Sequence, residues 1–500
     1  MEIELKLAVS PTALNRLIRH PIWSSWRCSD SRQTLRSIYF DTANADLTAA
    51  GYALRLRRVG RRWVQTVKGG GGAGAGLHRR DEFESEVRGP QPDFTKMPDR
   101  LLDGVLADAT VRGQLLPVFE TRFTRLARTV HLDDGSVVEV AFDRGNVIAG
   151  DRTAPLCEVE LELKHGQLGA LLGLARAVLR HGGGWLDDTT KAARGYRLAM
   201  PDRSPVASPV SAGSASSRVF RDWHALMAEA VQRGLNHLHG NAAGVRDQLD
   251  DPEYVHQMRV AARRIKTLLG IAQRESEHPL TSHLLVEVSW LANSLGAARD
   301  WDVLLGETLP SYLQRFPAPP GLARLQADGE ALRRQGHELA AAAVGSTRYG
   351  ELLIDLMAWL HRQESLDKRR ALGPAREQLG RRHKQVLKLG EPARLVDDEA
   401  RHRLRLACKK LRYAAESLAP AFPSGAASGY ISAVARLQNV LGGLNDAAVA
   451  AQRLDTLPAG RAERARQVLK RALHNSAQMQ LTTLPDQWDA FVRQTPFWKA

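Results

Sequence analysis

The hydrophobic pattern of this 500-residue chain changes near residue 200, and that change restricts the possible folds more than any other feature. Before it, apolar and charged residues alternate in segments such as IELKL, ALRLRRV and CEVELELK, which is typical of strands with two differently solvated faces. After it, apolar residues recur every three or four positions, which indicates helices. We therefore predict a β-rich N-terminal domain and an all-α C-terminal domain.

The segment between these halves, PDRSPVASPVSAGSASS at residues 201–217, is rich in Pro, Ser, Ala and Gly and has no periodicity. This composition is typical of a linker. We therefore place the two domains at residues 1–201 and 218–490, with the linker at 202–217. Within the first domain we expect an amphipathic helix at Leu168–His181 and a flexible hairpin connection at Gly69–Gly76.

The helical half contains an internal repeat. HQMRVAARRIK begins at His256 and HRLRLACKKLR at His402, while LGAARDWDV begins at Leu295 and LGGLNDAAV at Leu441. Both pairs have the same offset of 146 residues. Two matched blocks at one offset predict a duplicated helical unit.

The charge of the chain favours a polyanionic partner, because the formal net charge is +15. No apolar run approaches the roughly 20 residues that span a bilayer, and the start MEIELKLAVS is too acidic for a signal peptide. The three cysteines are few and far apart, as in a reducing compartment. We expect a cytoplasmic protein with no membrane partner.

Charged residues share one face in several predicted strands. Glu2, Glu4 and Lys6 alternate with apolar residues, so they line one side of a strand. Four further segments repeat this arrangement with Arg55 and Arg57, with Lys68, with Glu82, Glu84 and Glu86, and with Glu158, Glu160, Glu162 and Lys164. One such strand is usually a solvated sheet face. Five of them favour a barrel with an ionic interior.

Such an interior suggests phosphate chemistry. Clustered carboxylates repel one another unless a cation neutralises them, and Mg²⁺ and Mn²⁺ prefer carboxylate oxygens. Arg and Lys in the same interior suit phosphate oxygens. Together, a metal and a phosphate clamp are the equipment for phosphoryl transfer to water.

Basic residues also form a stripe on two helices, one in each repeat. His256, Arg259, Arg263 and Lys266 fall within roughly 80° of one another on a helix. The second repeat gives His402, Arg405, Lys409 and Arg412, and Arg264 and Lys410 flank the stripes. Like charges at this spacing need a compensating partner. A linear polyanion would supply it, and so would acids of a neighbouring helix such as Asp300 and Asp446.

The N-terminal motifs resemble those of the CYTH family, the triphosphate tunnel metalloenzymes. They occur in order as Glu2-x-Glu4-x-Lys6, Tyr39-Phe-Asp-Thr, Leu-Arg55-Leu-Arg57, Gln-Thr-Val-Lys68, Glu158-Val-Glu160 and Lys191-Ala-Ala-Arg194-Gly-Tyr196. The resemblance covers nearly all of residues 1–200. It implies an antiparallel eight-stranded β-barrel, or tunnel, with flanking helices, which binds triphosphate together with Mg²⁺ or Mn²⁺.

Transferred position by position, the resemblance implies roles for individual residues. The metal ligands would be Glu2, Glu4, Glu158 and Glu160. The phosphate-binding residues would be Lys6, Arg55, Arg57, Lys68, Lys191 and Arg194, joined by Arg122 and Arg125, whose strand matches the family pattern less cleanly. Supporting groups or ligands of a second metal would be Glu82, Glu84, Glu139 and Asp143. For catalysis we single out Lys6, as the group that orients the attacking water, and Glu4.

The C-terminal motifs resemble the CHAD domain, a helical domain associated with polyphosphate binding. The match covers roughly 218–490 and includes both H-x-x-R helices, Leu295-Gly296…Arg299-Asp300 and Leu441-Gly442…Asn445-Asp446. It implies two helical bundles around a basic cleft, with the ten basic residues named above as polyphosphate ligands. Asn445 stands where the first repeat has Arg299, so the two halves need not bind equally.

A CYTH domain followed by a CHAD domain resembles the bacterial inorganic triphosphatases. We therefore expect metal-dependent hydrolysis of tripolyphosphate to pyrophosphate and phosphate, polyphosphate binding by the helical domain, and association with polyphosphate granules. A thiamine or nucleoside triphosphatase, or an adenylate cyclase of the same tunnel class, is the first alternative. A non-catalytic polyphosphate-binding protein is the second. Nucleic-acid binding comes third, because no recognition-helix, zinc or RNP signature appears.

Overall fold

The structure is a computed structural model that describes residues 2–74, 77–97, 105–203, 208–213, 218–391, 397–458, 460 and 462–499, without the side chains of 2, 70–74, 78–81 and 203. The chain forms two compact units. The first comprises Met1–Ser208 and Gly345–Ile354, and the second comprises Pro209–Val344 and Asp355–Ala500. The first is built on an antiparallel sheet with flanking helices and the second is helical, so the predicted fold class is confirmed.

Among the described residues of the first unit, nine strands form one antiparallel sheet. Its order is β5-β4-β3-β2-β6-β7-β8-β1-β9, and β5 also pairs with β1, which closes strands β1 to β8 into a tunnel. The prediction of eight strands thus differs only by the two-residue β9 at the edge of β1. The strands are β1 Glu2–Ala8, β2 Arg27–Asp41, β3 Ala53–Val59, β4 Arg62–Gly74, β5 Leu77–Val87, β6 Leu116–His131, β7 Val137–Ala149, β8 Arg152–His165 and β9 Trp185–Leu186.

Alternation along each strand separates an apolar outer layer from a charged interior. Leu5 and Leu7 are fully buried on one face of β1, and Leu54 and Leu56 are fully buried on one face of β3. Helices cover parts of the outside: α1 Pro11–Ile18, α2 Asp46–Ala49, α3 Ala109–Gly113, α4 Leu168–Gly182 and α5 Lys191–Ala199. Helix α4 confirms the predicted amphipathic helix at Leu168–His181. The intervening charged side chains are left to face the interior of the tunnel.

The glycine-rich segment differs from the prediction. Residues up to Gly74 continue β4 and pair with β5, with a shift of register between Gly69 and Gly72. The expected flexible connection is therefore wrong up to Gly74, and residues 75–76 lie outside the described part of the chain. Backbone hydrogen bonds to the neighbouring strand explain why the run stays extended without large side chains.

The rest of the chain is helical. Its helices are α6 Trp223–Gly240, α7 Ala242–Arg246, α8 Glu253–Glu275, α9 Pro279–Ser294, α10 Gly296–Val303, α11 Leu309–Leu313, α12 Leu322–Val344, α13 Thr347–Glu364, α14 Leu372–Leu389, α15 Asp398–Leu418, α16 Ser428–Asp455 and α17 Glu463–Val492. Within the described residues, none of these helices is sufficiently long and apolar to span a membrane.

The internal repeat corresponds to a repeated structural arrangement. The basic stripes lie on α8 and α15, which pack against each other. The second block of each repeat lies on α10 and α16, and each of these helices contacts the stripe helix of its own repeat. The four helices therefore bring both copies of the repeated motifs to one region of the second unit.

Candidate functional site

The register of the sheet brings distant charged residues together inside the tunnel. Lys6 of β1 lies opposite Glu160 of β8, and Glu158 of β8 lies opposite Asp143 of β7. Asp143 in turn lies opposite Arg125 of β6. Because paired residues on adjacent strands point to the same face of a sheet, these five side chains meet in the interior.

Three carboxylates form the centre of this group. Asp143, Glu158 and Glu160 each place an oxygen within 4.8 Å of the others. The side chains of Asp143 and Glu158 are fully buried, and that of Glu160 is 12% exposed. Neither carboxylate oxygen of Glu158 accepts a well-oriented hydrogen bond from the described residues. An all-oxygen donor set with this spacing fits a hard divalent cation such as Mg²⁺ or Mn²⁺.

Two lysines insert their ammonium groups among these carboxylates. Lys191 Nζ lies 2.5 Å from Glu158 Oε1, 2.7 Å from Asp143 Oδ2 and 2.8 Å from Glu160 Oε1. Lys6 Nζ lies 3.2 Å from Glu160 Oε1 and 3.7 Å from Glu158 Oε1. Lys191 is the first residue of α5.

Two arginines complete the cluster. Arg125 donates from Nε and Nη2 to the two carboxylate oxygens of Asp143 at 2.8 and 2.7 Å, and from Nη2 to Glu160 at 2.5 Å. Arg194 Nη2 lies 3.3 Å from Glu158 Oε2 and donates to Asp187 at 2.6 Å. Four cationic side chains thus surround three carboxylates.

The pKa values of the cluster favour the charged forms. Burial alone would lower the pKa of Lys191, but Asp143, Glu158 and Glu160 outweigh it and hold that pKa above its ordinary value. Burial would likewise raise the pKa of Glu160, but Lys191, Lys6 and Arg125 hold it well below its ordinary value. Both groups are therefore ionised at neutral pH.

A second group of charges lies on strands β3 to β5. Arg55 Nη2 lies 3.2 Å from Glu82 and 3.6 Å from Glu84, while Lys68 Nζ lies 2.8 Å from Glu82. Arg57 donates from Nε to the hydroxyl of Ser37 at 3.1 Å. Burial, together with the charge of Arg55, lowers the pKa of Arg57 to about 10, so Arg57 stays positive at neutral pH.

One cavity of about 380 Å³ connects these groups. This volume is in the range of cavities that hold small ligands. The charged and hydroxyl-bearing residues that line it are Glu4, Lys6, Tyr39, Arg55, Arg57, Lys68, Glu82, Glu84, Arg125, Glu139, Glu160, Glu162, Lys164, Thr190 and Lys191. A ligand with several negative charges would meet arginines and lysines on more than one side.

The carboxylates that the structure brings together are not all those predicted as metal ligands from the N-terminal motifs. Glu4 lines the cavity beside Glu162 but lies outside the cluster of three carboxylates, whereas Asp143, which we expected as a supporting group or a ligand of a second metal, belongs to it. The side chain of Glu2 lies outside the described residues.

Arg122 requires a correction. Its side chain is 57% exposed and pairs with Glu120 on the outside of the tunnel. Arg122 and Arg125 are an odd number of positions apart on a regular strand, so they point to opposite faces. Only Arg125 can therefore contact a ligand in the cavity.

Sequence reasoning missed two supporting residues. Ser37 holds Arg57, and Asp187 holds Arg194. Ser37 lies directly opposite Arg57 on the neighbouring strand, so the register of β2 and β3 would have identified it. No local sequence signal identifies Asp187. It follows β9 and accepts a hydrogen bond from Arg194 in the first turn of α5.

In the second unit, the two basic stripes form a cluster between α8 and α15. Arg259 Nη1 lies 3.8 Å from Asp300, and Arg405 Nη2 lies 3.6 Å from Asp446. Burial, followed by the charge of Arg263, lowers the pKa of Arg259 to about 10. Burial, followed by the charges of Arg263 and Arg405, lowers the pKa of Lys409 to about 6.

The other predicted polyphosphate ligands differ from one another in their neighbours and in their exposure. His402 Nδ1 lies 2.9 Å from Asn445 Oδ1, whereas burial, with the charge of Arg299, lowers the pKa of His256. The two histidines therefore have different neighbours, Asn445 for His402 and Arg299 for His256. Arg264 and Arg412 lie 2.7 and 3.5 Å from Glu416, and Lys266 and Lys410 are exposed.

Comparison with known families and proteins agrees with this architecture. The CYTH domain model matches residues 1–196 and the CHAD domain model matches residues 229–455. The crystal structure of the CHAD domain from the plant Ricinus communis is 30% identical, with a TM-score of 0.52, and covers 58% of this chain and 98% of its own.

Two curated proteins are also similar. The inorganic triphosphatase of Haemophilus influenzae is 29% identical over 208 residues, which are 39% of this chain and 54% of that protein. The match thus spans about half the length of that relative. An uncharacterized protein of Mycobacterium tuberculosis is 27% identical over 423 residues, covering 77% of this chain and 75% of its own. On these matches, the chain belongs to the CYTH and CHAD families, with a CYTH domain at residues 1–196 followed by a CHAD domain at residues 229–455.

Proposed function

We propose that the tunnel hydrolyses inorganic triphosphate to pyrophosphate and phosphate with the help of Mg²⁺ or Mn²⁺. One observation carries this proposal: three carboxylates with a metal-binding spacing lie beside a cavity of about 380 Å³ that is lined by arginines and lysines. The similarity to an inorganic triphosphatase supports the choice of substrate.

The proposed metal ligands are Glu158, Glu160 and Asp143, and the spacing of their oxygens, all within 4.8 Å of one another, supports this choice. Glu4 lines the same cavity and stays in the set, as does Glu2, which alternates with it on β1. A divalent cation held there would offset phosphate charge and polarise a water molecule.

The phosphate oxygens would be held by the basic residues around the cavity. Arg55, Arg57 and Lys68 would act from strands β3 and β4, Arg125 from β6, and Lys191 and Arg194 from helix α5. Arginine suits this task because its planar group donates two parallel hydrogen bonds to a phosphate. Lys6 would orient the attacking water, with Glu4 as the nearby carboxylate, and the cations would stabilise the charge that develops on the leaving group.

We further propose that the helical unit binds longer polyphosphate. Arg259, Arg263 and Arg405 concentrate positive charge beside Lys409 between two packed helices, and burial, followed by the charges of Arg263 and Arg405, depresses the pKa of Lys409. A linear polyanion would relieve the repulsion among these charges. In the part of the chain that the structure describes, the group of three possible metal ligands lies in the tunnel and not in the basic cluster. The role that we propose for the basic cluster is therefore binding, which brings polyphosphate to the same chain as the hydrolytic tunnel.

A cytoplasmic location, in association with polyphosphate granules, belongs to the same proposal. Cys28, Cys157 and Cys408 are free thiols, which suits a reducing compartment. Polyphosphate bound by the helical unit would hold the protein on the granule.

Phosphate release from tripolyphosphate, ATP and thiamine triphosphate would test the substrate assignment. We expect tripolyphosphate to give the highest kcat/KM, by about tenfold or more, because the lining of the cavity is almost wholly charged. A preference for ATP would overturn the inorganic assignment in favour of a nucleoside triphosphatase. Folded protein that cleaves none of the three would instead favour the non-catalytic alternative.

A further inference from the structure

The ammonium group of Lys191 lies where a metal ion would be expected. Its Nζ is 2.5 to 2.8 Å from one oxygen each of Asp143, Glu158 and Glu160. Those three residues are also the cluster whose ligand spacing fits a metal ion. A divalent cation bound by the same oxygens would lie in contact with Lys191, and two positive charges at such a distance repel each other strongly in a buried site.

The cluster is neutralised before any metal binds. Lys191, Lys6, Arg125 and Arg194 contribute four positive charges within 3.7 Å of three carboxylates. Asp187, which pairs with Arg194, brings the carboxylates to four as well, so a divalent cation would enter a site with no net negative charge. Its binding becomes favourable only if a cationic side chain leaves or if a polyanion arrives with it.

Lys191 is the cation whose departure would open the site, because it alone of these four contacts all three carboxylates. Arg125 is fixed by a two-pronged contact to Asp143, and Lys6 is held on a central strand between β8 and β5. Lys191 lies at the start of α5, where Thr190 caps the helix by accepting a hydrogen bond from the Ala193 amide. Because Lys191 also lines the cavity, rotation about its flexible stem moves Nζ towards a ligand without moving the helix.

We propose that Lys191 is an internal counter-ion that competes with the divalent metal for these carboxylates. Triphosphate in the cavity draws the ammonium group away and so opens the site. This inference rests on the proposed function, in that it takes triphosphate as the ligand. It follows that metal and triphosphate bind cooperatively, and that each strengthens the other by the same factor.

Mn²⁺ binding to the full chain without any phosphate tests the competition directly, with free Mn²⁺ measured by electron paramagnetic resonance. Lys191→Met removes the charge but keeps the length of the stem, and we expect it to bind Mn²⁺ at least about tenfold more tightly than the wild type. Lys191→Arg keeps a positive charge and is expected to bind Mn²⁺ as weakly as the wild type.

Lys164→Met is the matched control. Lys164 lines the same cavity, but its nearest carboxylate is Glu162 at 2.6 Å, and it contacts none of the three clustered carboxylates. We expect its Mn²⁺ affinity to stay within about threefold of the wild type, because the site beside Asp143 keeps its counter-ion.

Equal Mn²⁺ affinity of the wild type and a folded Lys191→Met would overturn the proposal. If Lys191→Met does not fold without metal because its carboxylates repel one another, its thermal unfolding is measured with added Mn²⁺ instead. An unfolding transition that Mn²⁺ restores in this variant selectively supports the proposal. A variant that stays unfolded with Mn²⁺ overturns it. Neither readout uses a substrate. A failure to hydrolyse tripolyphosphate would therefore contradict the proposed function and leave this result standing.

Discussion

Arg122 and Arg125 lie on the same strand but have opposite surroundings. Arg125 is 18% exposed and contacts Asp143 and Glu160 inside the tunnel, while Arg122 is 57% exposed and pairs with Glu120 outside. We expect Arg125→Lys to lower kcat/KM for tripolyphosphate by about tenfold to a hundredfold, because a two-pronged contact is lost. Arg122→Lys should change it by less than about threefold.

Steady-state phosphate release from the two variants checks this prediction, and their circular dichroism should match that of the wild type. An equal loss of kcat/KM in both variants would show that the face of the strand does not decide phosphate binding.

The lowered pKa of Lys409 predicts that polyphosphate binding depends on pH. Its pKa of about 6 results from burial and from Arg263, Arg405 and Arg259, opposed only partly by Asp446. Lys409 is therefore largely neutral above pH 7, and a bound polyanion would raise its pKa and take up a proton. Affinity should rise as the pH falls from about 8 to about 6, by up to tenfold per pH unit.

Titration of labelled polyphosphate against the wild type and Lys409→Met at several pH values measures this linkage. The variant should lose most of the dependence, and His256→Gln serves as the control for histidine protonation. The effect of pH on stability has the opposite sign. Without ligand, the unfolded chain binds a proton at Lys409 more readily than the folded chain does. The contribution of Lys409 to the free energy of unfolding therefore increases as the pH rises above about 6. A Lys409→Met profile parallel to that of the wild type would assign the pH dependence elsewhere.

At the scale of elements, the packing of α5 determines where two proposed phosphate ligands lie. A Cβ atom at Gly195 would overlap the ring of Phe119, so Gly195→Ala should push α5 off the sheet. We expect a loss of about 1–3 kcal/mol in the free energy of unfolding and a fall in tripolyphosphate turnover, because Lys191 and Arg194 move with the helix.

Gly173→Ala in α4 is the matched control, since nothing lies within 4 Å of the added atom. It should stabilise the protein by about 0.5–1 kcal/mol and leave turnover unchanged. Urea unfolding and phosphate release of both variants make the comparison. Similar stability of Gly195→Ala and the wild type would mean that α5 is not held against Phe119.

Local sequence patterns predicted individual strands and helices better than they predicted which side chains meet in the folded structure. The alternation of Glu4 and Lys6 with Leu5 and Leu7 depends on one strand alone, so it could be read directly. Which carboxylates meet depends on the pairing of β1, β7 and β8, and this is why Asp143 was not predicted to share one metal site with Glu158 and Glu160. The repeat at His256 and His402 could be identified for a similar reason, because matching sequences at a fixed offset are visible without knowing how any strands pair.

The glycine run and Arg122 show the limits of composition. Gly69–Gly74 pairs as a strand because β5 supplies backbone partners that no property of glycine predicts. Arg122 was grouped with Arg125 because both stand in TRFTR, although their odd spacing already places them on opposite faces. Lys191 and Arg194 were identified by resemblance alone, because they lie on a helix that follows the sheet in sequence.

At the scale of the whole molecule, the two units are expected to use different ligands. Arg259→Ala combined with Arg405→Ala should weaken polyphosphate binding by at least about tenfold and reduce its dependence on salt, because fewer counterions are released. Tripolyphosphate turnover should be unchanged, since both residues belong to the second unit.

Polyphosphate binding at several salt concentrations, measured beside tripolyphosphate turnover, tests this separation. Arg381→Ala combined with Lys384→Ala on the exposed side of α14 is the control for loss of positive charge. If that control weakens binding as much as the double variant in the stripe, the basic cluster between α8 and α15 is not the binding site.

The central claim is that carboxylates in the tunnel hold a metal needed to cleave triphosphate, and metal removal followed by restoration tests it most directly. The initial rate of phosphate release from tripolyphosphate would be followed for the wild type and Glu160→Gln, first with chelator and then with Mg²⁺ or Mn²⁺ added back. We predict no turnover with chelator, full recovery of the wild type with metal, and at least about a hundredfold lower kcat in folded Glu160→Gln. Turnover that persists in chelator, or a Glu160→Gln variant as active as the wild type, would contradict the account.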